Sequence, residues 1–470
     1  MARQNRFGER YHIVLVPGFG GFDALGQIEY YAGITPLFHN WKRNRAVVLH
    51  YFDNLPTAAV VTRAARLRRY LAKRIARGEI LEIDKIVLVG HSTGGLDIRQ
   101  LVWDLHRPDE NPLPVDGGWV VPNQTIRHCL DGVVFLSVPH RGTNIADWVY
   151  SHPVLRTAVV TESQAAVAGS QLYPLDSIEQ QFASGAAQLT GAELLLAVRD
   201  ALTEANADYG EPGPLRTAEA QEAASQLALY FRHMASDFRV INDLTARSHD
   251  TCNKSPAHFN TKERAEELKL WDHPRPIRTL SYATVAGRPF RFPSGRRAPV
   301  WELTSPCTYP EIARDLKLSA KTDFLYRLCY RACAGGPFCW PDKPRAPTRV
   351  LGPAPPHPIE IWDNDGIVNT ASMLWPKDEI VLVVADHLDV VGHYTLQPAK
   401  ANKSGYRPAR VFQSYDSFKS FNSVPKFSPE TFEDLWTEIF DFSIDSNAFH
   451  HKRPSHPYKV KLVATAANGC

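Results

Sequence analysis

Apolar residues in this chain alternate between short unbroken runs and helical spacing. Tyr11–Val16 (YHIVLV) is an apolar, β-branched run that stops at Pro17-Gly18. Ala46–Tyr51, Lys85–Gly90 and Val133–Val138 repeat that signature. Runs this short and this apolar predict strands buried on both faces. Between the second and third runs, residues 57–79 place Val60, Ala64, Leu67, Leu71 and Ile75 at i, i+3, i+4 spacing, which predicts an amphipathic helix. Arg63, Arg66, Arg69, Lys73, Arg74 and Arg77 are read as its solvated face. Another helix is expected to open at Thr93. Strands alternating with helices predict an α/β fold with a mostly parallel, doubly wound sheet.

The pattern then changes. Residues 150–275 are rich in Ala, Gln, Glu and Leu, with helical spacing at Leu194–Ala205 and Thr217–Ser236. Strand character returns at Arg278–Ala286, and again at Ile359–Trp362 and Glu379–Ala385. Between these lies a Pro-, Arg- and Cys-rich stretch, 287–358, with no clean period, and loops of that length are usually functional or disordered. A C-terminal helix is expected at 427–444. This divides the chain into the first half of a core (1–150), a helical insertion over the sheet (151–275), the second half of the core (276–445, with the loop-rich insertion 287–358) and a basic tail (446–470).

Composition narrows the function classes. The chain has 470 residues, 44% hydrophobic and 22% charged, with a net charge of +3. That is ordinary for a globular protein and argues against a disordered chain. So small an excess of positive charge also argues against a nucleic-acid partner. No apolar run approaches the roughly 18 residues of a transmembrane helix, so no transmembrane anchor is expected. The N-terminus shows no signal-peptide pattern, which leaves the cytoplasm, or export with the signal absent from this sequence. Of seven cysteines, Cys307, Cys329, Cys333 and Cys339 cluster at a spacing that matches no standard zinc site. They are read either as disulfides of an exported protein or as buried thiols.

One motif carries chemistry. Gly90-His91-Ser92-Thr93-Gly94-Gly95 follows a predicted strand and opens a predicted helix. This is G-x-S-x-G in the strand–turn–helix setting that projects a serine Oγ from the C-terminal edge of a sheet. Small residues at 90 and 94 let strand and helix approach, and the N–H of Thr93 can donate to an oxyanion. A second donor is expected from the loop Pro17–Phe22, with the N–H of Phe19 as the candidate. Its glycines match neither a dinucleotide fingerprint nor a phosphate-binding loop. A serine nucleophile needs a base, and the base needs an orienting acid. Trp362–Val368 (WDNDGIV) supplies Asp365, with Asp363 as the alternative acid. Asp386-His387-Leu388-Asp389 follows the next strand and supplies His387, with His393 as the alternative base. His91 is read as packing, and His140 as fixing its own loop.

Together these segments resemble the bacterial triacylglycerol lipases of the α/β-hydrolase fold typified by Pseudomonas and Burkholderia enzymes. The family has G-H-S-x-G-G at the elbow, and T-P-H-R-G-S where this chain reads Ser137–Thr143. It has N-D-G-L-V where this chain has Asn364–Val368, and H-L-D-E at His387–Asp389. Asp243-Leu244-Thr245 and Phe259-Asn260 resemble a further segment. The resemblance implies Ser92 as nucleophile, Asp365 as acid, His387 as base, and Phe19 and Thr93 as oxyanion donors. It implies a helical lid over an ester or lipid substrate, with transient contact at a lipid interface. No cofactor is implied for the chemistry. A structural calcium is implied near the His387 loop with Asp389 as a ligand, since carboxylate oxygens suit that ion. Asp342 is the candidate second carboxylate. Pro17 stands where the family has His, and His393 where it has an oxygen ligand. Lipase action on acylglycerols is the leading expectation. The alternatives are an esterase on short-chain, synthetic diester or polyester substrates, an acyltransferase to another alcohol, and a fold kept only for binding.

Overall fold

The computed structural model describes residues 9–21, 24–25, 28–42, 45–106, 113–115, 119–151, 237, 239–245, 267, 269–271, 277–286, 333, 346–355, 359, 363–376, 379–392 and 427–444. In chain order come β1 (Tyr11–Val16), β2 (Ala24–Leu25), β3 (Ile28–Glu29), α1 (Ile34–Lys42), β4 (Val47–Tyr51), α2 (Val60–Ala76) and β5 (Lys85–His91). Next are α3 (Thr93–His106), β6 (Leu113–Val115), β7 (Trp119–Val121), α4 (Asn123–Cys129), β8 (Leu130–Leu136) and α5 (Asn144–Ser151). Further on follow α6 (Val240–Leu244), β9 (Arg278–Val285), β10 (Arg349–Leu351), α7 (Thr370–Met373), β11 (Ile380–Val384) and α8 (Pro429–Ile444).

Seven strands form one sheet in the order β10-β11-β9-β8-β5-β1-β4, and every neighbouring pair is parallel. The chain goes from β1 to β4 on one side, then returns to β5 on the other. A parallel sheet that reverses in this way opens a crevice beyond the carboxyl ends of its strands. Alternation along β1 explains the layers. Val14 and Val16 pack with Leu67, Leu71 and Leu101 of α2 and α3. Ile13 and Leu15 pack with Ile34 and Phe38 of α1 and with Trp436 and Ile439 of α8. The fold is thus a mixed α/β one, a parallel sheet with helices on both faces, as expected for an α/β-hydrolase core.

Three details differ from the sequence reading. Ile359 is buried but does not lie in a strand. Residues 360–362 of the strand expected there lie outside the described residues, and the edge strand of the described sheet is β10, inside the stretch expected to be loop, where Arg349–Leu351 pair with Val381–Val383. Three residues at a sheet edge are too few to show a period, and tertiary contacts hold them: Arg349 bonds Glu379 at 2.7 Å and Glu438 at 2.8 Å. Arg63 does not lie on the solvated face of α2 but is fully buried. Its place between Val60 and Leu67 puts it in the inward stripe, where Asp97 receives it. Finally, β8 ends at Leu136 because Ser137 turns the chain with φ 51°. The helices expected at Leu194–Ala205 and Thr217–Ser236 lie outside the described residues, as do Cys307, Cys329 and Cys339. Cys129 carries a buried free thiol. Cys333 is buried with its Sγ 3.2 Å from Asn369 Oδ1.

A buried histidine pair braces the opposite, N-terminal end of the sheet. His12 Nδ1 and His50 Nε2 are 2.8 Å apart, and His12 Nε2 lies 3.2 Å from Asp84 Oδ2. The carboxylate accepts from His12 Nε2–H, so a neutral His12 ring accepts from His50 Nε2–H at Nδ1. Burial lowers both pKa values, with the Arg74 and Arg10 cations adding to the effect, and takes His50 down to about 3. Below about pH 6.5 the unfolded chain binds protons that the folded pair refuses, so stability is full above that value and is lost as pH falls towards 3. Asp84 opposes this at His12, where its hydrogen bond and charge favour the proton. His50→Gln keeps an N–H donor towards His12. In urea denaturation it is expected to lose about 2–3 kcal/mol less than wild type between pH 7 and pH 4. Equal losses in the two proteins would show that His50 is not an acid-labile group.

Candidate active site

The sheet delivers several loops to one edge, and Ser92 stands at their meeting point. It links β5 to α3 with φ 52°, a left-handed conformation that side-chain-bearing residues rarely adopt. Its N–H donates to the Leu136 carbonyl at 2.8 Å, and its own carbonyl accepts from Gly95 N–H at 3.1 Å. The turn works only because the neighbouring backbones nearly touch. A Cβ on Gly94 would lie 2.3 Å from the Val16 carbonyl oxygen, and one on Gly18 would lie 2.6 Å from the Ser92 Cβ. The glycine loop after β1 therefore rests directly on the serine. Behind Ser92, α3 is buried from Thr93 to Val102. The N–H groups of its first turn lack intrahelical acceptors, and Thr93 carries one of them.

The glycine loop is held from both sides. Gly18 N–H donates to Tyr30 Oη at 2.8 Å, Gly20 N–H to Pro56 O at 2.9 Å, and Gly21 N–H to Gly18 O at 3.0 Å. These three groups are thus committed inside the protein. Below the loop, the Arg63 guanidinium donates to the Pro17 and Gly18 carbonyls at 2.9 and 3.1 Å, and to Pro56 O at 3.2 Å. Asp97 on α3 neutralises it at 2.9 Å and accepts from Asn54 at 2.8 Å. Burial nevertheless pushes the Asp97 carboxyl up to about 6, against the pull of Arg63. The Phe19 side chain is 38% exposed, one of few large apolar groups among the described residues to be so.

The structure brings His387 to Asp365. His387 Nδ1 lies 2.7 Å from Asp365 Oδ2, and His387 N–H donates to the Asp365 carbonyl at 2.9 Å. Asp365 Oδ1 accepts from the N–H groups of Ile367 and Val368 at 3.0 and 2.8 Å. Thr284 Oγ1, on β9, donates to Oδ2 at 2.7 Å and stands 2.9 Å from Ser137 Oγ. Four donors thus fix the carboxylate, and it fixes the imidazole. Asp363 is buried nearby and accepts Thr370 N–H at its backbone carbonyl. His393 lies outside the described residues. The second anchor of the base loop is His91, whose Nε2 lies 2.9 Å from the His387 carbonyl oxygen, with the two rings 4.7 Å apart. His91 therefore does more than pack. His140 does hold its loop: its carbonyl accepts from Arg99 at 3.0 Å, and its ring lies 4.6 Å from that of Trp375.

Sequence reasoning missed Thr284, Ser137, Tyr30 and the Arg63–Asp97 pair. Ser137 opens the segment that resembles T-P-H-R-G-S but carries no signal of its partner; the others sit in no recognisable motif, and their partners lie 12 to 81 positions away. Asp243 is also placed: its Oδ2 accepts Val60 N–H at 2.9 Å and caps α2, which has no side-chain cap of its own.

Of the residues expected around a calcium, Asp389 is described, and His393 lies outside the described residues. Asp389 Oδ2 accepts Asp386 N–H at 2.8 Å, while Asp386 Oδ1 accepts the N–H groups of Leu388 and Asp389. The two carboxylates thereby knit the turn that presents His387. Among the described residues no group of three or more His, Cys, Asp or Glu could hold a metal ion. Asp342 lies outside them. Among the described residues, no helix is long and apolar enough to cross a membrane.

No family model and no curated protein matches this chain. Solved structures do. EstA from Clostridium botulinum is 17% identical over 88% of each chain, with a TM-score of 0.38. Lipase 1 from Pelosinus fermentans is 16% identical over 92% of this chain and 98% of its own, also at 0.38. Staphylococcus hyicus lipase is 14% identical over 94% and 99%, at 0.39. The latter two are lipases by name, and none of the three is a Pseudomonas or Burkholderia enzyme. At such overlap the likeness carries no argument about chemistry, which rests on this chain's own residues. The fold and the site together define the class: a mixed α/β protein with a serine elbow and an Asp–His pair at the carboxyl edge of a parallel sheet.

Thr284→Val keeps the shape and removes a donor to the buried carboxylate. It is expected to lower the unfolding free energy by about 1.5–3 kcal/mol. A loss below about 0.5 kcal/mol in denaturant titration would show that Asp365 does not depend on that hydroxyl.

Proposed function

We propose that this chain is a serine carboxylic-ester hydrolase, and more narrowly a lipase that cleaves acylglycerol esters. The observation that supports this most is the 2.7 Å hydrogen bond between His387 Nδ1 and Asp365 Oδ2, in a loop tied at 2.9 Å to the residue preceding Ser92. Ser92 Oγ attacks the ester carbonyl carbon while His387 Nε2 takes its proton. Asp365 holds the imidazole tautomer and stabilises the imidazolium. The N–H groups of Phe19 and Thr93 hold the developing oxyanion, and one such donor is worth roughly 2.7–4 kcal/mol. Collapse of the tetrahedral adduct breaks the ester C–O bond, and His387 passes its proton to the leaving alcohol. Water, deprotonated by the same imidazole, then attacks the acyl-enzyme and releases the acid and free Ser92. The chemistry uses only these groups and water. Asp389 acts here as a brace of the His387 turn.

The narrower reading rests on the resemblance of the motifs and on the exposed Phe19 ring of the loop whose Gly18 meets the serine. It is tested with p-nitrophenyl esters of C4 and C16 acids. Wild type is expected to hydrolyse both and to prefer C16. Ser92→Ala is expected to lose roughly 10⁴–10⁶-fold in kcat. Preference for C4 would turn the assignment to an esterase, and full activity in Ser92→Ala would remove the serine mechanism.

A further inference from the structure

His91 occupies the position of G-x-S-x-G that the motif leaves open, yet it is fully buried and bonded at both ring nitrogens. Its Nε2 faces the backbone carbonyl of His387 at 2.9 Å, and its Nδ1 faces Tyr30 Oη at 2.6 Å. Tyr30 Oη in turn accepts Gly18 N–H at 2.8 Å. Chemistry assigns a direction to each bond. A carbonyl oxygen only accepts, so His91 Nε2 carries a hydrogen. In the neutral ring Nδ1 then accepts, so the phenol O–H donates to it. The phenol oxygen keeps a lone pair for Gly18 N–H. One continuous line therefore runs from the glycine loop through Tyr30 and His91 to the base loop, and Ser92 is covalently attached to its middle. The contact of Gly18 with Ser92 already described closes the triangle on the other side.

We infer that Tyr30 and His91 form a positioning strut that sets the distance between the oxyanion loop, the nucleophile elbow and His387. This deepens the proposed ester hydrolysis and rests on it. Neither residue is given a chemical step: Tyr30 bonds the loop and the His91 ring, and His91 packs 4.7 Å from the His387 ring and bonds its backbone. Their effect is to remove play among three loops that come from different strands and share no covalent link nearby. Asp365 fixes the imidazole at one nitrogen and through the His387 N–H. The strut fixes the carbonyl side of the same residue, so the ring has no remaining hinge towards Ser92. A purely apolar residue at 91 would fill the space and leave the His387 carbonyl and the Tyr30 hydroxyl without this link.

Displacement of reacting groups by about 1 Å can lower rates by about 100-fold while leaving binding intact. Tyr30→Phe is therefore expected to reduce kcat, per active site titrated with a fluorophosphonate, by roughly 10–100-fold with KM within about twofold. His91→Leu is expected to fall at least as far. His91→Gln, whose amide N–H can still reach the His387 carbonyl, should recover part of the loss. If the residues act as one strut, Tyr30→Phe/His91→Leu should be no worse than His91→Leu alone, whereas independent roles would multiply. Unchanged kcat per titrated site in Tyr30→Phe, with only a lower melting temperature, would overturn the strut and leave ester hydrolysis standing. ¹⁵N NMR of the histidine rings in the full chain gives a readout without turnover. His91 is expected as the Nε2–H tautomer in wild type and as a mixture in Tyr30→Phe. An Nδ1–H or averaging ring in wild type overturns the strut whatever the activity. Inactive wild type with a locked Nε2–H tautomer overturns the proposed hydrolysis and upholds the link between the loops.

Discussion

A left-handed residue between a buried strand and a buried helix is the constraint on which this molecule is organised. Ser92 holds φ 52° although a side chain resists that conformation. Such strain persists only where the surroundings over-determine it. Here β5 is hydrogen-bonded on both sides in the sheet, and α3 is buried through its first ten residues. Neither can move to relax the turn. Gly94 and Gly18 let the β1 loop press against it from above. The strain and the close approach are two views of one arrangement: a serine held out from the sheet edge by elements that have no other place to go.

Charge is buried to hold that arrangement. The Arg63 guanidinium lies under the glycine loop and bonds backbone carbonyls that would otherwise be left facing the interior. Asp97 compensates it from α3, so the helix behind the serine and the loop in front of it share one ion pair. Removing one partner of such a pair typically destabilises by about 3–5 kcal/mol, because the other is left uncompensated. On the far side Asp365 has its four donors, and the Asp386–Asp389 turn adds a local brace. At the opposite end of the sheet, burial of His12 and His50 makes the same core sensitive to acid. Much of the polar interior lies beneath loops and strand ends; within the sheet, β1, β5 and β11 carry mainly Val, Ile and Leu, while β9 buries Ser281 and Tyr282 mid-strand.

Much of this was legible in the sequence. The strand runs at 11–16, 85–90 and 278–286 were legible because strands covered on both faces must be apolar throughout. Ser92 and His387 were legible as candidates because each follows such a run at the carboxyl edge, where loops meet in a parallel sheet, and Asp365 from the Asn364–Val368 turn that carries it. The inward place of Arg63 was available in its spacing and was overridden by its charge. β10 was not legible, since three residues at a sheet edge carry no period.

Only the tertiary structure decided which residues act together. Asp365 rather than Asp363 faces His387 because the turn at 364–368 wraps two backbone N–H groups around that carboxylate. His91 reads as filler in a motif and becomes a link only when residues 30 and 387 are brought to its two nitrogens. Thr284 is an ordinary strand threonine until β9 lies beside β8. The physical reason is the same throughout. Hydrophobic period and turn chemistry act over a few residues and are written locally. Hydrogen-bond partners are chosen across the sheet, among residues tens to hundreds of positions apart, and exist only once the strands have taken their order.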